Sequence, residues 1–125
     1  METDTDIPTD ASPGSLRQLA LAYNWDDGLS FPTRIADHPN CDLAVALELF
    51  WLANADAVYL GDSSETSYNA DWYAFSQTLA SRILTNHYPV GSGSFELPLT
   101  RVQVYNFRKR GLPDVFLTDV IGVRA

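Results

Sequence analysis

The sequence predicts a mainly α-helical fold: a single domain in which four or five helices pack around one buried central helix. Three observations support this class. The 125-residue chain has the length of one domain and can bury roughly two-thirds of its surface on folding. Its apolar fraction of 46% is typical of a globular protein. Several segments carry apolar residues at helical spacing between capping and helix-ending residues.

The N-terminal residues 1–14 are predicted to form a flexible acidic arm, and residues 15–125 a single helical domain. The arm holds four acidic side chains, two prolines and, after the first methionine, one large aliphatic residue. Ser15 and Gln18 have the spacing of a capping box, so the first helix is expected over residues 16–23. The polar run that follows it is typical of a loop.

A second helix is predicted to follow Ser30, its expected cap. Pro32 suits the first turn of a helix, and Pro39 disfavours helical backbone at the residue before it, so this helix is short. Asp42 is then the expected cap of the most apolar stretch of the chain, residues 43–60. This stretch is predicted to be the buried central helix. Polar residues interrupt it too often for a membrane span.

A polar connector over residues 61–67 leads to the longest predicted helix, residues 68–88. Its apolar side chains recur at intervals of three and four, as on one face of a helix. The glycine- and serine-rich residues 91–94 follow, and their composition predicts a flexible linker.

The last predicted helix covers residues 100–110. Thr100 and Gln103 again have the spacing of a capping box, and three consecutive basic residues suit a helix C-terminus because cations oppose the negative end of the helix dipole. Residues 115–120 are ambiguous. As a strand they would pair with residues 95–97 in a small C-terminal two-stranded ribbon.

Cysteine and charge content narrow the classes of function. Cys41 is the one cysteine of the chain, so no internal disulfide is expected, and the N-terminus lacks the basic and apolar pattern of a signal peptide. We therefore expect a cytoplasmic protein. The net charge of −8 disfavours binding to nucleic acid or to an anionic membrane, and it favours a basic protein partner.

The charge is unevenly distributed along the chain. Residues 1–71 hold thirteen acidic and two basic side chains, whereas residues 72–125 hold three acidic and six basic ones. An acidic surface attracts a basic partner and raises its association rate. The competing interpretation is that the charge serves solubility and that the two halves neutralise each other.

Two short motifs are similar to those of a known family. These are Asn-Trp-Asp-Asp-Gly at residues 24–28 and Pro-Asn-Cys-Asp at residues 39–42, followed by an apolar segment that contains Phe50-Trp51-Leu52. Together they resemble the bacterial domain-of-unknown-function family 4274, and the stretch over residues 99–119 is also similar. The resemblance implies a small helical bacterial protein, of a kind found among cytoplasmic immunity or accessory proteins.

No metal or cofactor is predicted. Asn24, Asp26 and Asp27 are oxygen donors in a loop that ends in glycine, but the run lacks the alternating donors and the terminal glutamate of a calcium loop. The favoured interpretation is a turn in which Asn24 and Asp26 bind free backbone amides while Trp25 packs. A zinc site needs three or four Cys or His ligands, and the chain has one Cys and two His.

No catalytic residue is predicted either. His38, Cys41 and Asp42 lie within five positions, which raises the alternative of a Cys–His nucleophile. A thiolate nucleophile needs a base at hydrogen-bond distance and a third group to orient that base. Neighbours separated by a proline rarely meet that geometry, so Cys41 is interpreted as a small buried residue before a helix cap.

The predicted function is a non-enzymatic protein-binding module, in its most specific form an immunity-like protein that occludes a basic toxin or effector. Two alternatives stay open. One is a small enzyme that uses Asp26, Asp27 and His38, for which a pocket must hold these side chains together. The other is an accessory structural domain, for which an exposed apolar patch and self-association are expected. The predicted partner-binding residues are Trp25, Asp26, Asp27, Asp62, Glu65 and Asp71.

Overall fold

Six α-helices form the framework of the computed structural model, which describes residues 7–123. The described part contains no β-sheet, so the mainly α class is confirmed. Two short 3₁₀ turns, Trp25–Asp27 and Asp114–Leu117, lie between or after the helices. The helices are α1 (Pro13–Ala22), α2 (Ser30–Asp37), α3 (Leu43–Leu52), α4 (Asp56–Tyr59), α5 (Ala70–Leu84) and α6 (Arg101–Lys109).

Helix α3 is the centre of the packing. It contacts α1, α2 and α5, and six of its ten residues are buried. Its cap is the predicted one, because Asp42 Oδ1 accepts a hydrogen bond from the Val45 N–H at 3.0 Å. The ring of Phe50 stacks on that of Phe116, with 4.4 Å between the centroids. The helix therefore joins the first half of the chain to the C-terminal part.

The single central helix predicted over residues 43–60 is wrong in its length. The helix ends at Leu52, and Asn54 takes a left-handed backbone conformation with φ 56°. Asparagine tolerates this conformation better than most residues do, and the conformation ends a helix. The turn is held in place because Trp72 Nε1 donates a hydrogen bond to the Ala53 carbonyl at 2.6 Å.

Two predicted N-caps are displaced. Helix α1 begins at Pro13, and its cap is Ser12, whose Oγ accepts a hydrogen bond from the Ser15 N–H at 3.1 Å. Pro13 has no N–H to satisfy, so it fits the first helical position. Helix α2 includes Ser30 as its first residue and has no side-chain cap.

The start of the described chain lies against the loop between α2 and α3. Ala11 is buried. Asn40 Nδ2 donates a hydrogen bond to the Ala11 carbonyl at 2.9 Å, and His38 Nε2 lies 2.8 Å from the Pro8 carbonyl oxygen. Of the predicted acidic arm, residues 1–6 lie outside the described residues.

A C-terminal segment, which we define as residues 85–123, closes the core over α3. Trp51 Nε1 donates a hydrogen bond to the Phe116 carbonyl at 3.1 Å, and the Tyr88 hydroxyl donates one to the Ala36 carbonyl at 3.0 Å. The segment thus supplies part of the core. Its buried apolar side chains are Tyr88, Phe95, Leu112, Phe116 and Leu117.

Asp42 holds the loop at Gly91 and Gly93 in place, so the predicted flexible linker at residues 91–94 is wrong. Asp42 Oδ2 accepts a hydrogen bond from the Gly93 N–H at 2.9 Å. A Cβ atom at Gly91 would lie 2.8 Å from the same oxygen, so the approach requires glycine. One carboxylate therefore holds both the start of α3 and the loop that crosses it.

The end of the chain contains the predicted helix and lacks the predicted ribbon. Helix α6 has the expected capping box: Thr100 Oγ1 accepts from the Gln103 N–H at 3.2 Å, and Gln103 Oε1 accepts from the Thr100 N–H at 2.8 Å. Instead of a two-stranded ribbon, Phe95 and Val120 form one isolated antiparallel bridge. The 3₁₀ turn Asp114–Leu117 takes up the first three of the six residues 115–120 that were predicted to form the second strand.

Candidate functional site

A surface groove of about 500 Å³ runs between α2 and α5. Phe75 and Leu79 of α5 are buried at its floor. The opposite wall is formed by α2 together with Leu29, the residue before it. Arg34 lies on this wall, and its guanidinium is 5.9 Å from the centroid of the Phe31 ring. The stripe that α5 contributes follows helical spacing and consists of Asp71, Ala74, Phe75, Thr78, Leu79 and Arg82.

Two contacts set the relative direction of α2 and α5. Just before α2, the Trp25 ring meets the Phe75 ring edge-on, with 6.2 Å between the centroids. At the other end, Arg82 Nη1 donates a hydrogen bond to Asp37 Oδ1 at 2.7 Å. Both helices therefore begin at one end of the groove, which we call the start end, and finish at the other.

The start end of the groove is acidic. Asp71 lines the groove, and Asp26 and Asp27 lie on the turn that leads into α2; all three are exposed. Glu65 is exposed in the loop before α5. Within residues 7–123, none of these four carboxylates takes part in an ion pair. Their charge is thus available to a cationic partner.

The turn that carries Asp26 has the structure expected from its sequence. Asn24 Oδ1 accepts a hydrogen bond from the Asp26 N–H at 3.1 Å. Trp25 is half-buried, and its Nε1 donates to the Ala20 carbonyl at 3.2 Å. Its contact with Phe75 ties the turn to the groove floor. Trp25 therefore positions the neighbouring carboxylates and offers only part of its ring to a partner.

Asp62 has an internal partner. Its carboxylate accepts two hydrogen bonds from the Arg110 guanidinium, at 2.6 and 3.0 Å, and this contact holds the pKa of Asp62 below its usual value. A second ion pair between the two halves of the chain joins Arg82 to Asp37. Self-neutralisation between the halves is thus part of this fold. Among the described residues, it leaves Asp26, Asp27, Glu65 and Asp71 without an ion-pair partner.

The structure does not bring together the side chains of the enzyme alternatives. His38 Nδ1 accepts a hydrogen bond from the Asn40 N–H at 3.0 Å, so Nε2 carries the proton and donates to the Pro8 carbonyl. Burial raises the pKa of the Cys41 thiol to about 12, so the thiol stays protonated at neutral pH. The eight residues of α2 place Asp27 and His38 at opposite ends of a helix that is about 12 Å long.

The described part of the chain shows neither a metal-binding cluster nor a membrane-spanning helix. Among residues 7–123, no group of three or more His, Cys, Asp or Glu side chains is arranged to hold a metal ion. In the same range, no helix combines the length and the apolar character that crossing a bilayer requires.

The groove itself was not predicted from the sequence. Phe75 and Leu79 belong to the apolar period predicted for residues 68–88, but that period does not indicate which neighbouring helix they face. Asp37 was likewise not singled out, since its pairing with Arg82 joins residues 45 positions apart. A groove depends on which helices lie side by side, and the sequence pattern of one helix does not contain that information.

The fold and the groove define a small all-helical domain with an apolar surface groove that is acidic at one end. The model of the family described as Domain of unknown function (DUF4274) matches residues 11–84, which is more than half of the chain, and the chain belongs to this family. The match contains α1 to α5 and confirms the resemblance found in the sequence motifs. Neither a curated protein nor a solved structure shows a significant match to this chain.

Proposed function

We propose that this protein is a binding module that receives a basic segment of a partner protein in the groove between α2 and α5. The observation that carries the proposal is the position of Asp26, Asp27 and Asp71 around the start end of an apolar groove. These three exposed carboxylates form no ion pair with any residue that the structure describes. The partner that fits has cations at one end and an apolar side chain that becomes buried when it lies on the groove floor formed by Phe75 and Leu79.

The two parts of the groove contribute differently to binding. Exposed ion pairs are worth only about 0.2 to 1 kcal/mol each, so the carboxylates mainly raise the association rate and fix the orientation of the partner. Burial of apolar surface supplies most of the affinity, at about 25 cal/mol per Å². An amphipathic helix laid in a groove uses both contributions.

In its most specific form, the proposal is an immunity-like protein of the bacterial cytoplasm that occludes a basic toxin or effector. The net charge of −8 supports this form, because it favours association with a strongly basic protein. Asp62 is already paired with Arg110, and a paired carboxylate attracts a cation of a partner protein less strongly. The proposed binding surface is therefore limited to the carboxylates at the start end of the groove.

The test uses a defined probe, a synthetic amphipathic helical peptide with leucines on one face and lysines on the other. Backbone amide shifts of the ¹⁵N-labelled chain should change along α2 and α5 when the peptide is added. The double variant Asp26→Lys/Asp71→Lys should weaken peptide binding about tenfold or more.

The matched control is Asp10→Lys/Glu96→Lys, which changes the net charge by the same amount at exposed residues outside the groove lining. It should bind the peptide nearly as the unmodified chain does. Equal weakening by both double variants, or shift changes confined to other helices, would overturn the proposal, because binding would then depend on net charge or on another surface.

A further inference from the structure

Helix α6 presents a face that no other part of residues 7–123 covers. No residue of α6 is buried, and Val102 and Tyr105 keep 68% and 61% of their surface exposed. The opposite side of the helix is half-buried, where Val104 packs against the core and Phe107 meets the Trp51 ring at 5.5 Å between centroids. The outward face therefore leaves large apolar side chains in water.

Cations lie on both sides of Tyr105 on this face. Arg101, Tyr105 and Lys109 follow at intervals of four, so they share one side of the helix. Lys109 Nζ lies 5.8 Å from the centroid of the Tyr105 ring. Within residues 7–123, neither Arg101 nor Lys109 takes part in an ion pair, whereas Arg108 and Arg110 are both paired with aspartates.

This face is complementary to the groove between α2 and α5. Arg101 and Lys109 are eight residues apart, so about 12 Å separates them along the helix axis. Helix α2, which has eight residues, is of about the same length. The groove offers an apolar floor and an acidic start end. The α6 face offers apolar side chains and two cations that form no ion pair with any described residue.

We propose that α6 of one copy of this chain docks in the groove between α2 and α5 of a second copy. Tyr105 and Val102 cover the apolar floor, and Lys109 lies at the start end, beside Asp71. In this direction the negative end of the α6 dipole faces the positive ends of α2 and α5. The inference rests on the proposed function, because it names the occupant of the same groove.

The contact joins two different surfaces, so the copy that contributes α6 keeps its groove free, and the copy that contributes the groove keeps its α6 free. Contacts of this heterologous kind add copies head to tail instead of closing a two-fold dimer. Few exposed ion pairs and one helix face make each contact weak. Self-association is therefore expected to depend on protein concentration and to decrease at high salt.

Sedimentation velocity of the full chain tests the proposal. The weight-average sedimentation coefficient should rise between about 10 µM and about 1 mM protein in about 50 mM NaCl, and this rise should weaken in about 500 mM NaCl. Lys109→Asp and Asp71→Lys should each weaken self-association about tenfold, because each places like charges against each other.

An equimolar mixture of these two variants should associate again, since Lys109 of one then meets Asp71 of the other and the exchanged charges also pair. Tyr105→Ser should weaken association without a change of charge, and Glu96→Lys is the control for Asp71→Lys at an exposed residue outside the groove lining. Circular dichroism establishes that each variant is folded.

Sedimentation that is independent of concentration would overturn the inference, and so would association that the variants leave unchanged. The peptide titration described above separates the two proposals. If the lysine-bearing peptide binds the groove and the chain does not self-associate, the inference fails and the proposed function stands. If neither occurs, both fail.

Discussion

Asp42 is buried, with 3% of its surface exposed, and its carboxylate accepts hydrogen bonds from two backbone amides. Oδ1 caps α3 through the Val45 N–H, and Oδ2 holds the Gly93 N–H. The cap was predictable, because an aspartate before an apolar helical run is a common start signal. The contact with Gly93 was not predictable from the sequence, because it joins residues that are 51 positions apart.

Replacement of this carboxylate should have a large effect on stability. We expect Asp42→Ala to lower the free energy of unfolding by about 2 to 4 kcal/mol, because it removes a cap and leaves a buried amide unsatisfied. Urea denaturation followed by circular dichroism measures the change. Asp42→Asn keeps one acceptor oxygen, so the free energy of unfolding should decrease less than in the alanine variant. A loss below about 1 kcal/mol for the alanine variant would show that solvent reaches both amides.

At the scale of elements, caps and prolines predicted the end of α2 and the starts of α3 and α6 correctly, whereas the predicted caps of α1 and α2 are displaced. α2 ends before Pro39, and α6 begins with its capping box. The end of α3 was missed because the apolar period continues beyond it and no glycine or proline interrupts the sequence there. The break at Asn54 is instead stabilised by tertiary contacts, among them the hydrogen bond from Trp72.

The left-handed conformation of Asn54 can be tested by substitution. Asn54→Val should lower the free energy of unfolding by about 1 to 2 kcal/mol, because a branched side chain disfavours a positive φ. Asn54→Gly should leave stability nearly unchanged or raise it. Thermal unfolding measures both variants. The same pair at Asn86, which has φ 61° after α5, is the matched control for position effects. Equal stability of the valine and glycine variants would contradict the assignment.

At the scale of the whole molecule, the family match and the folded unit have different limits. The match ends at Leu84, whereas the core continues through five buried side chains of the C-terminal segment. The charge asymmetry of the sequence indicated an acidic surface in the first part of the chain, residues 1–71. It did not indicate that Arg110 neutralises Asp62, because that pairing depends on how the C-terminal segment folds back over α4 and the following loop.

A chain that ends at Leu84 should not fold. Loss of five large buried side chains removes roughly 8 to 15 kcal/mol of burial free energy, which is comparable with the whole stability of a domain. We expect no cooperative thermal transition by near-ultraviolet circular dichroism. A chain that ends at Leu117 keeps all five side chains and is the control, for which a cooperative transition is expected. A sharp transition in the shorter chain would show that the matched region is independent.

The three tryptophans of the chain can report on separate tertiary contacts by fluorescence. Each indole N–H binds a main-chain carbonyl in a different part of the molecule, which is a common arrangement for buried tryptophan. Variants that retain one tryptophan would therefore report separately, by fluorescence, on the turn beside the groove, on the docking of the C-terminal segment and on the junction of α3 with α4. The donors and acceptors are Trp25 to Ala20, Trp51 to Phe116 and Trp72 to Ala53.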